Sequence, residues 1–85
     1  MTNDIIIYST QVCPYCVAAK NLLKNKQLEY REIKVDKDPE ERAKMIEKSG
    51  RTSVPQIFIN GTHVGGFDDL SAKVRNNELQ DLLVE

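Results

Sequence analysis

Cys13 and Cys16 are the two cysteines of an 85-residue chain, and only Pro14 and Tyr15 separate them in YSTQVCPYCVAAKNLL (8–23). A pair at this spacing can ligate a metal, close a structural disulfide or exchange electrons. A structural zinc site takes about four nitrogen or sulfur ligands, whereas this chain adds a single histidine, His63, to its two cysteines. His63 follows an Asn-Gly turn and is expected on the sheet surface rather than as a ligand, so one chain falls short of a zinc site, and a zinc or cluster would have to be shared between two chains, each supplying Cys13. A structural bridge would close a loop too small to restrict the unfolded chain by much. The start of the chain, MTNDIIIYST, has no basic segment, and its apolar run ends after three isoleucines. No cleaved secretory signal and no membrane span of about 20 residues are expected. The expected address is therefore the cytoplasm, where structural disulfides are rare. The 12 basic and 13 acidic side chains are intermixed and give a net charge of −1. Such a balance provides no global attraction to nucleic acid or anionic lipid, and neither is expected as a partner.

The elements that must position the two sulfurs follow from the periodicity. DIIIYS (4–9) is a short β-branched run, the pattern of a strand covered on both faces. Over residues 14–26 the period changes: Ala18, Ala19, Leu22 and Leu23 make an apolar stripe, while Lys20, Lys24 and Lys26 are expected to face out of a helix. EYREIKVD (29–36) alternates as an edge strand would. In DPEERAKMIEKSG (38–50), Asp38 is a cap, Pro39 opens a helix and Gly50 ends it. Glu41, three residues after the cap, is expected to close a capping box. PQIFING (55–61) is a further strand, and Asn60-Gly61 predicts a hairpin into THVGG. DDLSAKV is helical, and Asn77 with Gln80 is expected to cap a last turn carrying Leu79, Leu82 and Leu83. The order β-α-β-α-β-β-α describes an α/β fold over 1–85, one domain, with a four-stranded mixed sheet between helices. The first two strands are parallel through a right-handed crossover, and the last two form a hairpin.

On this map Cys13 falls at the N-cap of the first helix, with Pro14 at the first helical position. The free N–H groups of the first turn and the positive end of the helix dipole face its sulfur. Helix N-termini and Cys-x-x-Cys pairs are where thiol pKa values fall below about 7.5. Cys16 lies one turn in, on the same face and nearer the packing. The pair is thus predicted to be unequal: Cys13 an exposed nucleophile toward disulfides, Cys16 a resolving thiol that attacks the mixed disulfide so formed. A Cys-x-x-Cys opening a helix in a βαβ unit points to thioredoxin-like redox chemistry.

Three segments, CPYC (13–16), RTSVPQIFIN (51–60) and GGFDDL (65–70), together with the element order, carry a resemblance to the glutaredoxins. It extends over nearly the whole chain and is strongest to the short bacterial dithiol type. The resemblance implies a thioredoxin-like fold and a glutathione-dependent thiol–disulfide oxidoreductase. Glutathione would be a co-substrate, with no bound cofactor, and Cys13 and Cys16 would form a redox-active disulfide. It implies a cis Pro55, and a Val54 backbone pairing with the glutathione cysteine in the manner of an added strand. Ser53 would belong to the same binding segment. Gly66 and the N–H groups of Phe67 and Asp68 would meet the γ-glutamyl carboxylate, and Asp68 or Asp69 its ammonium group. Tyr15 would line the site, and Arg42 would reach the glycine carboxylate. Thr10 stands where many glutaredoxins carry a lysine, and Phe67 where many carry Cys or Ser. Disulfide-containing proteins such as ribonucleotide reductase are the protein partners implied, for an enzyme acting as a monomer. Two other readings are a hydrogen donor reduced by thioredoxin reductase and a non-enzymatic [2Fe–2S] carrier using Cys13 of two chains.

Overall fold

The computed structural model describes residues 3–83. Four strands, β1 (Ile5–Ser9), β2 (Arg31–Lys34), β3 (Gln56–Ile59) and β4 (Thr62–Gly65), form one sheet in the order β2-β1-β3-β4. β1 runs parallel to β2 and antiparallel to β3, and β3 runs antiparallel to β4. Three α-helices, α1 (Pro14–Asn25), α2 (Pro39–Ser49) and α3 (Phe67–Arg75), and a closing 3-10 turn (Leu79–Leu82) complete it. The expected α/β architecture is therefore present.

β1 lies in the interior of the sheet, which is why its isoleucines run without a polar break. Ile5 and Ile7 face α1 and α3, joining Ala19, Leu23, Ile57, Ile59, Val64, Leu70 and Leu79 in the larger core. Tyr8 faces the other way and packs with Val35, Met45 of α2 and Phe58. β2 is an edge strand and is shorter than the alternation over 29–36 suggests. Pairing with β1 supports only Arg31–Lys34.

Four local expectations are corrected. Lys20 does not face freely outward; its ammonium group is 2.9 Å from Glu32 Oε2, and both side chains are only 23% exposed. Asp38 caps α2 by accepting from the Glu41 N–H, but Glu41 turns to Lys44 instead of back to the cap, so the box is half formed. Asn77 does not cap the last turn with Gln80. It has φ 57° and ends α3: the Asn77 N–H donates to Val74 O and the Glu78 N–H to Lys73 O, the two bonds of a Schellman motif. Strand β3 ends at Ile59, because Asn60 (φ 50°) and Gly61 (φ 84°) form the hairpin turn itself.

Candidate active site

The sheet order brings three distant segments to one end of the molecule. The C-terminal end of β1 leads into Cys13, the N-terminal end of antiparallel β3 follows Pro55, and the C-terminal end of β4 leads into Gly66 and α3. The register fixes this alignment, with Tyr8 opposite Gln56 and Ile57 opposite Gly65.

Cys13 is the N-cap of α1, in extended conformation, and its sulfur accepts from the Cys16 N–H at 3.1 Å. Pro14 follows at the first helical position, where the missing N–H costs no hydrogen bond. Cys13 and Cys16 are joined as a disulfide, with their Cα atoms 5.2 Å apart. The two sulfurs are unequal in access. Cys16 is 1% exposed, while Cys13 is partly exposed. The Val54 carbonyl oxygen lies 3.9 Å from Cys13 Sγ.

The Val54–Pro55 peptide is cis. The Val54 N–H has no hydrogen-bond partner among the described residues, so a donor stands open beside the sulfur. Across from it the chain passes Gly65 and Gly66. Gly65 has φ 120°, and a Cβ there would come 2.6 Å from Asp69 Cγ. A Cβ on Gly66 would meet the Pro55 carbonyl oxygen at 3.4 Å, so this turn lies close against the Pro55 segment.

Asp69 and Asp68 do different work. Asp69 Oδ2 accepts from the Gly66 N–H at 3.0 Å and pairs with Arg51 Nη1 at 3.1 Å. The Gly66 bond first, and Arg51 second, hold its carboxyl below the usual carboxylate range. The Asp68 carboxylate is exposed and has no partner among the described residues. Gly66, the N-cap of α3, has no side chain to cap with, so the first-turn N–H groups of Phe67 and Asp68 remain for an anion.

Tyr15, Arg51, Ser53, Val54, Pro55, Gln56, Gly66, Phe67, Asp68 and Asp69 line an open groove of about 210 Å³. The Tyr15 ring is 64% exposed and its centroid is 6.2 Å from that of Phe67. Of the glutathione contacts implied by the resemblance, Arg42 is the one outside the groove. Its guanidinium donates to the Thr52 carbonyl at 3.2 Å and so holds the loop that leads to Ser53. Arg51 and Gln56 are brought to the groove without having been anticipated. Arg51 carries no periodic signal, standing in a loop just after the Gly50 helix stop. Gln56 does leave a trace, as a polar residue opening the apolar QIFI strand. It is 1% exposed, donates to the Ser53 carbonyl at 3.0 Å, and its Oε1 is 2.8 Å from His63 Nε2. His63 packs on Phe58, with ring centroids 4.9 Å apart, and burial lowers its pKa. Among the described residues, no three His, Cys, Asp or Glu side chains are grouped to hold a metal.

The sequence pattern of the glutaredoxin family matches residues 5–64. A glutaredoxin of Pseudomonas aeruginosa is 51% identical over 79 residues, covering 93% of this chain and 94% of that one. Glutaredoxin 3 of Escherichia coli K12 is 45% identical over 80 residues, covering 94% and 96%. Among solved structures, the buckwheat glutaredoxin–glutathione complex superimposes with a TM-score of 0.86 at 30% identity, covering 95% of this chain and 76% of that one. The solution structure of a Brucella melitensis glutaredoxin gives 0.82 at 51% identity, covering 94% and 87%.

Proposed function

The chain belongs to the glutaredoxin family, and on that premise we propose how the Cys13–Cys16 pair and the groove beside it divide the work of a glutathione-dependent thiol–disulfide oxidoreductase. Cys13 Sγ, as thiolate, attacks one sulfur of a substrate disulfide, and the other sulfur leaves as thiolate. For a protein disulfide, Cys16 Sγ then attacks Cys13 Sγ, releasing the substrate as a dithiol and leaving the Cys13–Cys16 disulfide. One glutathione thiolate attacks Cys13 Sγ and expels the Cys16 thiolate. A second attacks the sulfur of the bound glutathione, leaves as glutathione disulfide and restores the Cys13 thiolate. For a glutathionylated substrate Cys13 takes the glutathione directly, and Cys16 is not required.

In this reading the groove holds glutathione. The open Val54 N–H and its carbonyl pair with the glutathione cysteine backbone beside Cys13. The N–H groups at the start of α3 take the γ-glutamyl carboxylate, and the unpaired Asp68 carboxylate takes its ammonium group. Tyr15 and Phe67 form the wall, and Gly66 allows the close approach. Asp69 positions the turn through Gly66 and Arg51. Arg51, inside the groove, is held by Asp69 at the γ-glutamyl end, while Arg42 supports the loop through Thr52. The observation that carries the reading is the open Val54 N–H beside a partly exposed Cys13 sulfur, facing a helix start whose N-cap, Gly66, has no side chain to occupy the first-turn N–H groups. The buckwheat relative, solved as a glutathione complex, supports it. The enzyme is further proposed to act as a single-domain monomer in the cytoplasm, with disulfide-forming enzymes such as ribonucleotide reductase among its protein substrates.

The test is the source of electrons for the oxidised protein. Glutathione with glutathione reductase and NADPH should regenerate the dithiol through many turnovers, and thioredoxin reductase with NADPH should not. Reduction by thioredoxin reductase alone would overturn the proposal. A brown, dimeric protein after anaerobic purification would also count against it, pointing to a thiolate-held iron–sulfur cluster.

A further inference from the structure

Gln56 stands where the groove meets the sheet, and both ends of its side-chain amide are engaged. It is 1% exposed and lines the groove. Its Nε2 donates to the Ser53 carbonyl oxygen at 3.0 Å, and Ser53 Oγ lies 3.4 Å from the same nitrogen. A carbonyl oxygen only accepts, so the amide cannot be turned over, and Oε1 must face away from Ser53. There it meets His63 Nε2 at 2.8 Å. Oε1 also only accepts, so His63 Nε2 must carry a proton and donate it. One chain of hydrogen bonds therefore runs from His63 through Gln56 to the Ser53 carbonyl. The His63 ring is held in place against Phe58, its partner across the β3–β4 hairpin.

The Ser53 carbonyl and the Val54 N–H belong to one peptide. That peptide is trans, the cis bond coming one step later at Val54–Pro55. Its C=O and N–H therefore point in opposite directions in one plane. Fixing the carbonyl on Gln56 thus fixes the direction of the open Val54 N–H. We propose that His63 and Gln56 are positioning residues for glutathione, aiming the Val54 N–H at the ligand's cysteine carbonyl from behind the groove. A hydrogen bond accepted at one end of a peptide also polarises the donor at the other, so the chain strengthens that contact as well as directing it. His63 does not line the groove and acts through Gln56 alone. Without a donor at position 63, Gln56 Oε1 would be buried and unpaired, and the amide would lose what holds it on Ser53. The inference rests on the reading of the groove as the glutathione site.

Two variants test it. His63→Phe keeps a ring against Phe58 and removes the donor, whereas His63→Gln restores an N–H donor of similar reach. In His63→Phe the KM for a glutathionylated peptide should rise about fivefold, the scale of one neutral hydrogen bond, with kcat within about twofold of the parent. His63→Gln should return KM to within about twofold. An unchanged KM in His63→Phe, or an equal rise in both variants, would overturn the inference. Stoichiometric reduction of bis(2-hydroxyethyl) disulfide, which carries no glutathione, should proceed within about twofold of the parent rate in both prereduced variants. Parallel loss there would overturn the inference too, since His63 would then act on the fold or on Cys13. The parent protein alone supplies a further check, because its single histidine gives an unambiguous ring spectrum. At about pH 8, above the range in which an ordinary histidine titrates, 15N NMR should show Nε2 protonated and Nδ1 bare. The opposite tautomer would overturn the inference whatever the variants do. Failure of the parent to turn over the glutathionylated peptide, with Nε2 protonated as expected, would fall on the glutathione reading itself and take this inference with it.

Discussion

Cys13 serves two purposes with one sulfur, as N-cap of α1 and as the exposed member of the redox pair, whereas Cys16 is packed into the core one turn later. Depth in the fold, not residue type, separates the thiols. The two neighbouring aspartates are separated in the same way: Asp69 is engaged by Gly66 and Arg51, and Asp68 is left open to the groove. Asp68→Asn should therefore raise KM for a glutathionylated peptide by roughly tenfold, the scale of one charge-assisted hydrogen bond. Its kcat and thermal stability should stay close to those of the parent. Steady-state kinetics with calorimetry checks this, and an unchanged KM would remove Asp68 from the ligand's ammonium group. Glu32 shows the same logic in a structural role. Its carboxylate accepts from the buried Ser9 hydroxyl at 2.6 Å and from Lys20 at 2.9 Å. The Ser9 bond first, then Lys20, hold its pKa below the usual value, against the opposing effect of burial. Because the folded-state pKa is the lower one, this stabilisation is present above the unfolded value of about 4.3 and is lost as pH falls through the folded value. Denaturant midpoints measured from pH 6 to pH 3 should fall more steeply in the parent than in Glu32→Gln, with the difference confined to the region below about pH 5.

The helix ends decide how each element hands over to the next. α2 stops at Gly50 with φ 71° and the Gly50 N–H bonded to Ile46 O. α1 ends by the same device without a glycine: Gln27 has φ 60°, the Gln27 N–H bonds to Lys24 O and the Leu28 N–H to Leu23 O. A left-handed conformation costs a residue with a Cβ about 1 kcal/mol or more. Gln27→Gly should thus stabilise the protein by about 0.5–1 kcal/mol in chemical denaturation, and destabilisation would show that the Gln27 side chain holds something its φ does not reveal. These ends also show what could be read from sequence. Gly50 and Asn60-Gly61 announce themselves, because glycine and asparagine adopt positive φ most readily. Gln27 is invisible, since nothing in its type signals a left-handed turn; Asn77 carries the right type, but its spacing to Gln80 points to the element after it. Pro14 and Pro39 each mark a helix start, and the Cys13 cap follows from Pro14 directly. The Lys20–Glu32 and Arg51–Asp69 pairs join segments 12 and 18 residues apart. Local periodicity has no access to such pairings, so Lys20 read as a solvated lysine and Arg51 did not register as part of the site.

At the scale of the molecule, the strand order β2-β1-β3-β4 turns three sequence-distant segments into one site. Residues 13–16, 53–56 and 65–69 meet because β1 and β4 both run antiparallel to β3, placing their C-terminal ends beside its beginning. The family resemblance already linked those segments. What the three-dimensional arrangement adds is the allocation among them: which aspartate holds the Gly66 turn, which arginine enters the groove, and which thiol is covered. In the proposed division of labour, the covered thiol is needed for protein disulfides and dispensable for glutathione mixed disulfides. Cys16→Ser, assayed with glutathione, glutathione reductase and NADPH, tests this directly on a glutathionylated peptide and on a protein disulfide. Turnover of the first within a few-fold of the parent, with loss of the second, is the predicted result; loss of both activities, or retention of both, would contradict the division of labour between Cys13 and Cys16.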